Sequence, residues 1–283
     1  MRIVHFVVVI WLFVEAHFPA VNGQAKIPYM GEVPDPYSTA IVQDGEDSCP
    51  KAVEKECKFQ LHAIRSRDNF GEMCEERGFT VAAELGVQSG RFSDSYLYTA
   101  PSTKKYILVD TWAKRDNYSD SANVDDNKQE SLFQHTMKRL HPYKARGTDL
   151  EVHRMYTNKA AANVPNNSID FIYVDAQHDY CGVKEDLEMW WPKLKVGGIM
   201  AGDDYLSAKE QLHLKGNVYD PNDDWAICKD GSRHEGAVKG AVRKFAAAHN
   251  LQVFSTWKQR GMSNREKLIW PQWIYSRKKE EAL

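Results

Sequence analysis

The stretch from residue 169 to residue 205 constrains the fold more than any other part of the chain. An apolar, β-favouring run at residues 171–174 is typical of a strand buried on both faces, and it stops abruptly at Asp175. Apolar residues then recur at spacings of four, three and four, which places them on one face of a helix: Val183, Leu187, Trp190 and Leu194. Because a proline follows Trp191, this helix is expected to end there. A glycine pair and a short apolar run at residues 199–201 complete a strand–helix–strand unit.

Charged and titratable residues follow both strands of this unit. Asp175 ends the first strand and His178 comes three residues later, while Asp203 and Asp204 follow the second strand. In open parallel sheets, ligands bind at the carboxyl ends of the strands. The sequence therefore predicts a functional site formed by these four residues, although capping of a strand or helix end would also explain a histidine or a pair of aspartates there.

The rest of the chain repeats the alternation of strand and helix. Helices are predicted at residues 52–67, up to 77, at 92–98, 132–141, 160–163 and 238–246, and strands at 79–83, 106–109, 150–155, 251–255 and, interrupted by Pro271, 268–275. A long irregular stretch at residues 206–233 is expected to be a lid, a substrate wall or a plain insertion. Five β–α repeats followed by a closing strand or strand pair predict an α/β fold, a Rossmann-like doubly wound, mostly parallel sheet, in a single domain at residues 52–283.

A glycine-containing turn follows the first predicted strand. Glu84, Gly86 and Gly90 lie between that strand and the next helix, and Asp110 ends the second strand 20 residues after Gly90. Glycines let a ligand lie against the backbone at a helix N-terminus, and an acidic residue at the end of the second strand commonly binds ribose hydroxyls. An ordinary turn and a solvated aspartate are the alternatives, but the two elements together favour a nucleoside-containing cofactor.

The first 23 residues resemble a secretory signal peptide, since Arg2 precedes an apolar run that is too short to span a bilayer. Residues 24–51 are predicted to be an extended N-terminal segment. The mature protein is therefore expected in the secretory pathway, secreted or in the lumen of the endoplasmic reticulum or Golgi, without a membrane span after cleavage. A retained N-terminal anchor is the alternative.

Charge and cysteine content add two constraints. Lysine plus arginine (37) nearly balance aspartate plus glutamate (39), so nothing indicates nucleic-acid binding. Five cysteines leave at least one unpaired within the monomer, and none lies in a CxxC pair. Cys49 and Cys57 could pair with each other or with Cys74, and Cys181 with Cys228, but the sequence does not decide the connectivity.

These motifs together resemble the class I S-adenosylmethionine-dependent methyltransferases, and in particular methyltransferase family 24, whose relatives include metal-dependent small-molecule O-methyltransferases. The resemblance covers about residues 80–275, and its most specific part is the run FIYVDAQHDY at 171–180, continued through WWPKL and GG to AGDDY at 201–205. The glycine turn matches the family's cofactor loop.

The resemblance implies a role for each motif residue. The turn from Glu84 to Gly90 would hold the methionine part of the cofactor, Asp110 the ribose, and the residues around Tyr156 would lie near the adenine. The implied cofactor-binding set is Glu84, Gly86, Gly90, Asp110, Tyr156 and Asp175. The implied metal ligands are Asp175, Asp203 and Asp204. His178 matches a proposed general base, and many members have histidine where this chain has Asp203.

The leading hypothesis is therefore an S-adenosylmethionine-dependent O-methyltransferase that acts, with Mg²⁺, on a hydroxylated small molecule such as a sugar or glycoside. A hard cation held by carboxylates lowers the pKa of a hydroxyl, and a histidine can accept its proton. The first alternative is an inactive secreted or lumenal binding protein that keeps the fold. A nicotinamide-dependent dehydrogenase is the weaker alternative, because Gln88 stands where its fingerprint requires glycine.

Overall fold

The described part of the chain is built around a single eight-stranded sheet. The computed structural model describes residues 42–43, 67–116, 118, 120–214, 224–255 and 272–277, all within one unit at residues 39–283. The strands are β1 (Val42–Gln43), β2 (Val81–Leu85), β3 (Lys105–Asp110), β4 (Asp149–Arg154), β5 (Ile169–Val174), β6 (Leu194–Gly202), β7 (Phe254–Ser255) and β8 (Trp273–Ser276). The α-helices are α1 (Phe70–Glu76), α2 (Arg91–Thr99), α3 (Asp126–Ala145), α4 (Thr157–Ala161), α5 (Tyr180–Trp190), α6 (Ala208–Leu214) and α7 (Ala237–Ala248).

The strands lie in the order β1-β7-β8-β6-β5-β2-β3-β4. Five neighbouring strands, β6, β5, β2, β3 and the edge strand β4, are parallel, and β8 runs antiparallel to both β6 and β7. The carboxyl ends of the five parallel strands therefore meet at one edge of the sheet. The predicted fold class, a doubly wound and mostly parallel sheet in one domain, is confirmed.

Both faces of the sheet are covered by helices, because successive side chains of the buried strands point to opposite sides. One hydrophobic cluster joins Leu85, Val109 and Val174 to buried residues of α5 and α7. A second cluster on the other face joins Tyr106 and Phe171 to α1 and α2. The site at the end of the strands is thus built on a rigid, double-sided core.

The limits of several elements differ from the sequence predictions. Helix α3 continues four residues past the predicted end at 141, with Pro142 inside its last turn, where the missing N–H interrupts only one helical hydrogen bond. The stretch 206–233 was predicted to be irregular, but it contains α6, and β7 is shorter than the predicted strand at 251–255. The predicted signal peptide, the helix at 52–66 and residues 268–270 lie outside the described residues. In the part that the structure describes, no helix is long and apolar enough to span a membrane.

The structure settles part of the cysteine pairing. Cys181, in the first turn of α5, forms a disulfide with Cys228, and their Cα atoms are 5.6 Å apart. Cys74 is a free, buried thiol in α1, which excludes its pairing with Cys49 or Cys57. The disulfide therefore attaches the segment after residue 223 to the start of α5.

Candidate active site

A cleft of about 450 Å³ opens at the carboxyl ends of β2, β3, β5 and β6. This is the edge at which open α/β sheets bind ligands. Of the predicted site residues, those that line the cleft are Glu84, Gly86, Asp110, Tyr156, Asp175, His178, Asp203 and Asp204. Gly90 is not among its lining residues. The fold thus brings nearly all of the predicted site together.

The two glycines of the turn make room for neighbouring protein atoms. Gly86 has a φ of 87°, and a Cβ there would lie 1.9 Å from the carbonyl oxygen of Asp175. Gly90 has a φ of 69°, and its Cβ would lie 2.8 Å from Cγ2 of Thr136. Positive φ and close backbone approach both require glycine. The sequence reasoning placed these glycines correctly in the turn but gave a different cause, the close approach of a ligand.

Asp110 organises the turn. Its Oδ2 atom accepts hydrogen bonds from the backbone N–H groups of Val87 (2.9 Å) and Gln88 (2.8 Å), and its Oδ1 atom accepts one from Trp112 (2.8 Å). The carbonyl oxygen of Gln88 in turn accepts hydrogen bonds from the Trp112 indole and from Thr136. The contacts show that Asp110 fixes the backbone of the glycine turn, and a ribose-binding role for it stays a prediction.

Glu84 lies beneath the cleft and is 2% exposed. Its Oε2 atom accepts hydrogen bonds from the hydroxyls of Ser93 and Tyr106, the latter at 2.9 Å. Burial raises the pKa of this carboxyl to about 8, although both hydrogen bonds act to lower it. At neutral pH the group is therefore mostly protonated and neutral.

Tyr156 lies on the other side of the cleft, as the residue that precedes α4. Its side chain is half-exposed, and the Lys229 ammonium lies 5.7 Å from its ring centre. An exposed aromatic face in a cleft can stack on a planar ligand. The predicted position beside an adenine ring is compatible with this placement and stays a prediction.

His178 lies among three carboxylates. Its Nδ1 atom is 3.1 Å from Oδ2 of Asp120, and its Nε2 atom is 3.0 Å from Oδ2 of Asp204 and 3.6 Å from Oδ1 of Asp175. Nε2 makes an ion pair with Asp204 but no well-aligned hydrogen bond. Burial acts to lower the pKa of His178, but Asp204, Asp120 and Asp175 together raise it well above 6.5.

The segment after residue 223 covers this histidine. Trp225 is buried, and its ring centre lies 5.0 Å from that of His178. The Cys181–Cys228 disulfide and the stacking of His234 on Tyr180, at 4.5 Å between ring centres, hold the segment against α5. The segment therefore packs against the imidazole and reduces its exposure to solvent, while a role as a lid or substrate wall stays a prediction.

The carboxylate of Asp203, a predicted metal ligand together with Asp175 and Asp204, is bound by other protein groups. Its Oδ2 atom accepts a hydrogen bond from Nη1 of Arg67 at 3.0 Å, and its Oδ1 atom accepts hydrogen bonds from Nε2 of Gln272 and from the backbone of Asp204, both at 2.9 Å. Burial and the neighbouring Asp175 raise the pKa of Asp203 to about 6, which leaves it mostly ionised at neutral pH. It is fully engaged by protein donors.

This geometry does not fit Mg²⁺ at the predicted set of Asp175, Asp203 and Asp204. Mg²⁺ needs oxygen ligands with free lone pairs in near-octahedral geometry, and here a guanidinium already neutralises one of the three carboxylates. Another set with ligand atoms within 4.8 Å of one another is Asp175, His178 and Asp204. However, its imidazole would first have to give up the proton that the carboxylates hold on it.

Three residues that matter here were not identified from the sequence. Arg67 was the last residue of the helix predicted at residues 52–67, and Asp120 belonged to none of the predicted helices or strands. Neither carried a pattern that pointed to the cleft, because both reach it through contacts distant in sequence. Trp225 had a usable signal, since it is a large aromatic residue in a long polar stretch.

The fold and the site together define a class of protein, the α/β proteins with a ligand cleft at the carboxyl ends of a doubly wound sheet. Residues 83–205 match the family model Methyltransf_24, which is described as a methyltransferase domain. This span, from β2 to the residues after β6, is similar to methyltransferase family 24. The resemblance seen in the sequence is thereby confirmed.

Solved structures with a similar fold share little sequence with this chain. The O-methyltransferase TomG from Streptomyces achromogenes is 14% identical, with 83% of this chain and 92% of that chain covered and a TM-score of 0.49. An O-methyltransferase from Bacillus cereus is 11% identical (81% and 92% covered, TM-score 0.47), and a Podospora anserina methyltransferase is 13% identical (83% and 91% covered, TM-score 0.45). No curated protein matches the chain in sequence.

Proposed function

We propose that the protein is an S-adenosylmethionine-dependent methyltransferase that methylates an oxygen atom of a hydroxylated small molecule, such as a sugar or glycoside. The observation that carries the proposal is the position of His178, which lies in the wall of the cofactor cleft of a family 24 domain. This position supports a role for the imidazole on a group bound next to the cofactor.

The glycine turn and the far wall of the cleft would hold the cofactor. Asp110 fixes the backbone of Val87 and Gln88 beside the start of α2, and Tyr156 offers an exposed ring on the opposite side. S-adenosylmethionine, when bound, supplies an activated methyl group on a sulfonium. The chain itself has to hold an acceptor oxygen in line with that group, and such positioning supplies much of the rate enhancement.

His178 would remove the proton of the acceptor. At a pH above its raised pKa, the deprotonated Nε2 atom would take the proton of the acceptor hydroxyl as the oxygen–methyl bond forms and the sulfur–methyl bond breaks, while Asp120 holds Nδ1–H and fixes the orientation of the ring. The nearby carboxylates make the imidazole a stronger base than an exposed histidine. No metal enters this proposal, because Mg²⁺ does not fit the predicted ligand set.

The lining of the cleft supports a polar acceptor. Beside His178 it includes Arg115, Asp120, Asn123 and Asp175, all of which offer hydrogen-bonding groups. A polyhydroxylated molecule suits such a polar lining, whereas an apolar acceptor would remove water from these groups without offering them hydrogen bonds, at a cost in free energy.

We also propose that the protein works in the secretory pathway. The predicted signal peptide at residues 1–23 and the Cys181–Cys228 disulfide support this, because disulfides persist in oxidising compartments. To test this, a tagged full-length chain is expressed beside a variant that lacks residues 1–23. We expect the full-length chain to be secreted and the variant to stay inside the cell.

Calorimetric titration of the chain from residue 24 to residue 283 with S-adenosylmethionine tests the proposed function. We expect saturable binding that is weakened about three- to tenfold in Tyr156→Ala, since an aromatic contact contributes about 0.5–1.5 kcal/mol. Tyr98→Ala, which removes an exposed tyrosine outside the cleft, should bind like the wild type. Asp110→Ala is less informative, because losing its backbone contacts would disturb the loop itself.

Failure of a folded protein to bind S-adenosylmethionine would refute the proposal and favour the binding-protein alternative. If binding occurs, hydroxylated acceptors are screened with isotopically labelled methyl donor. The same screen with His178→Gln should show turnover reduced by about 10²–10⁴-fold, the usual contribution of a general base.

A further inference from the structure

Arg67 places a fixed positive charge between the ends of two neighbouring strands. Its Nη1 atom lies 3.0 Å from Oδ2 of Asp203, which follows β6, and 3.8 Å from Oδ2 of Asp175, which follows β5. One guanidinium nitrogen therefore faces both carboxylates at once. Burial opposes the charge, but Asp203, Tyr173 and Asp175 raise the pKa of Arg67 above its ordinary value.

The backbone of Arg67 is held by the core, although its side chain is partly exposed. The next helix begins at Phe70, which is fully buried, and its ring centre lies 5.6 Å from that of Tyr173, two residues before Asp175 in β5. Asp68 accepts a hydrogen bond from the hydroxyl of Ser95 at 3.1 Å, which attaches the same turn to α2. The short 3₁₀ turn Arg67–Asn69 is thus held between α2 and the end of β5.

Two further contacts show that Asp203 is built to pair with this arginine. Gln272 and the backbone of Asp204 donate to Oδ1, so Oδ2 is the oxygen left for Arg67. Gln272 directly precedes β8, and Asp203 therefore connects β8 to the turn before α1. A divalent ion bound to Asp203 and Asp175 would have to displace the guanidinium or lie against it, and like charges at such distances repel strongly.

We infer that Arg67 is the resident cation of this cluster. Its guanidinium takes the place, between Asp175 and Asp203, that a divalent metal ion would need, and methyl transfer proceeds without a bound divalent metal. Only the statement about methyl transfer rests on the proposed function. The occupation of a cation site by Arg67 is a statement about the folded protein alone. Arg67 is a positioning residue in this scheme, since its guanidinium lies against both carboxylates and supplies their counter-charge.

Mn²⁺ binding, followed by electron paramagnetic resonance of the free ion, tests the inference without cofactor or acceptor. The wild type is expected to leave Mn²⁺ free. Arg67→Ala should gain one Mn²⁺ site, because the carboxylates lose their counter-charge, and Arg67→Ala combined with Asp203→Asn should lose it again. Arg67→Lys, which keeps the positive charge, should behave like the wild type.

Arg91→Ala is the matched control. Arg91 also lines the cleft, but in the described part of the chain it forms no ion pair with Asp175, Asp203 or Asp204. Its removal changes the net charge by the same amount and should not create a Mn²⁺ site. Circular dichroism and the S-adenosylmethionine titration on the same samples show whether each variant is folded and whether the cofactor proposal holds independently.

Two results of the Mn²⁺ binding experiment would be enough to overturn the inference. One is stoichiometric Mn²⁺ binding by the wild type that disappears in Asp175→Asn or His178→Ala, which would identify Asp175, His178 and Asp204 as a metal site beside Arg67. The other is a folded Arg67→Ala variant that still leaves Mn²⁺ free, which would mean that the carboxylates are not a cation site. Methyl transfer by the wild type that stops when divalent ions are chelated would also contradict it.

Discussion

The Nδ1 atom of His178 lies 3.1 Å from Oδ2 of Asp120, a residue 58 positions earlier in the chain. Asp120 lies in the segment between β3 and α3, whereas His178 lies between β5 and α5. Their contact joins two segments that follow strands on opposite sides of β2 and sets the direction in which the imidazole faces the cleft. A base oriented in this way depends on a partner that no local sequence pattern reveals.

The titration of His178 should show this dependence. We expect its pKa to lie above 6.5 in the wild type and to fall in Asp120→Asn, because one of the carboxylates that stabilise the imidazolium is removed. Nuclear magnetic resonance of the histidine ring protons measures both values, with His178→Gln assigning the signal. In an activity assay, the rising limb of the pH profile should likewise lie above pH 6.5 and move to lower pH in Asp120→Asn. An unchanged titration in Asp120→Asn would contradict the assigned contact.

Substitution of two glycines with the same backbone conformation should separate strain from steric overlap. Gly86 and Gly197 have φ values of 87° and 85°, but of the two only Gly86 has atoms within 4 Å of the position that a Cβ would occupy. We expect Gly197→Ala to lower the free energy of unfolding by about 1–2 kcal/mol, the cost of left-handed backbone. Gly86→Ala should cost more than about 4 kcal/mol, because the Asp175 backbone must move. Urea denaturation measures both, and equal losses would show that the Asp175 contact carries no cost.

Glu84 should make stability depend on pH. The folded protein holds a proton on this carboxyl up to about pH 8, while the unfolded chain releases it near 4.5. The folded state therefore binds more protons in between, and the free energy of unfolding falls as pH rises through this range, by roughly 5 kcal/mol in total. Glu84→Gln keeps an acceptor for Ser93 and Tyr106 and removes this contribution.

Urea denaturation at pH 5, 7 and 8.5 tests that expectation. Glu84→Gln should match the wild type most closely at pH 5 and exceed it at pH 8.5. Glu72→Gln, which changes an exposed glutamate of α1, should leave the wild-type slope unchanged. Parallel slopes for Glu84→Gln and the wild type would show that Glu84 is ionised in the folded protein.

Loss of the Cys181–Cys228 disulfide should weaken both the fold and the cover over His178. The bridged residues are 47 positions apart, and closing a loop of that length stabilises a protein by about 4 kcal/mol in the chain-entropy model. The double variant Cys181→Ser and Cys228→Ser should unfold at lower urea concentration, and the His178 ring should become more accessible to a carbethoxylating reagent. Cys74→Ser, which changes a cysteine outside this disulfide, is the control for that accessibility. Equal reactivity in the double variant and the wild type would show that the disulfide does not hold the cover.

The sequence was sufficient for the fold because its patterns are local. The buried run before Asp175, the helical spacing after it and the turn at Gly86 each specify an element by short-range chemistry. Their repetition along the chain specifies a doubly wound sheet, whose topology then brings strand ends together. Most of the predicted cleft residues follow from that topology alone.

The partners of those residues could not be predicted in the same way. Asp203 was expected beside Asp175 and Asp204 as a third metal ligand, but its carboxylate turns to Arg67 and Gln272, which lie 136 and 69 positions away in the sequence. Which of several nearby groups an aspartate contacts depends on side-chain packing in three dimensions. The reason for each glycine was likewise hidden, since the Asp175 carbonyl that crowds Gly86 belongs to a different strand end.

That crowding at Gly86 has a consequence for how such a protein can change its substrates. The backbone N–H of Asp175 donates to the carbonyl oxygen of Leu85 at 2.7 Å, and Gly86 lies directly against Asp175. The turn at Gly86 and the end of β5 at Asp175 are therefore packed together as one rigid unit. We expect that an insertion in one of these two segments would require a compensating change in the other. New acceptor preferences are expected to arise in the segments around Asp120 and Trp225, where changes in length and sequence would leave the contact between Gly86 and Asp175 intact.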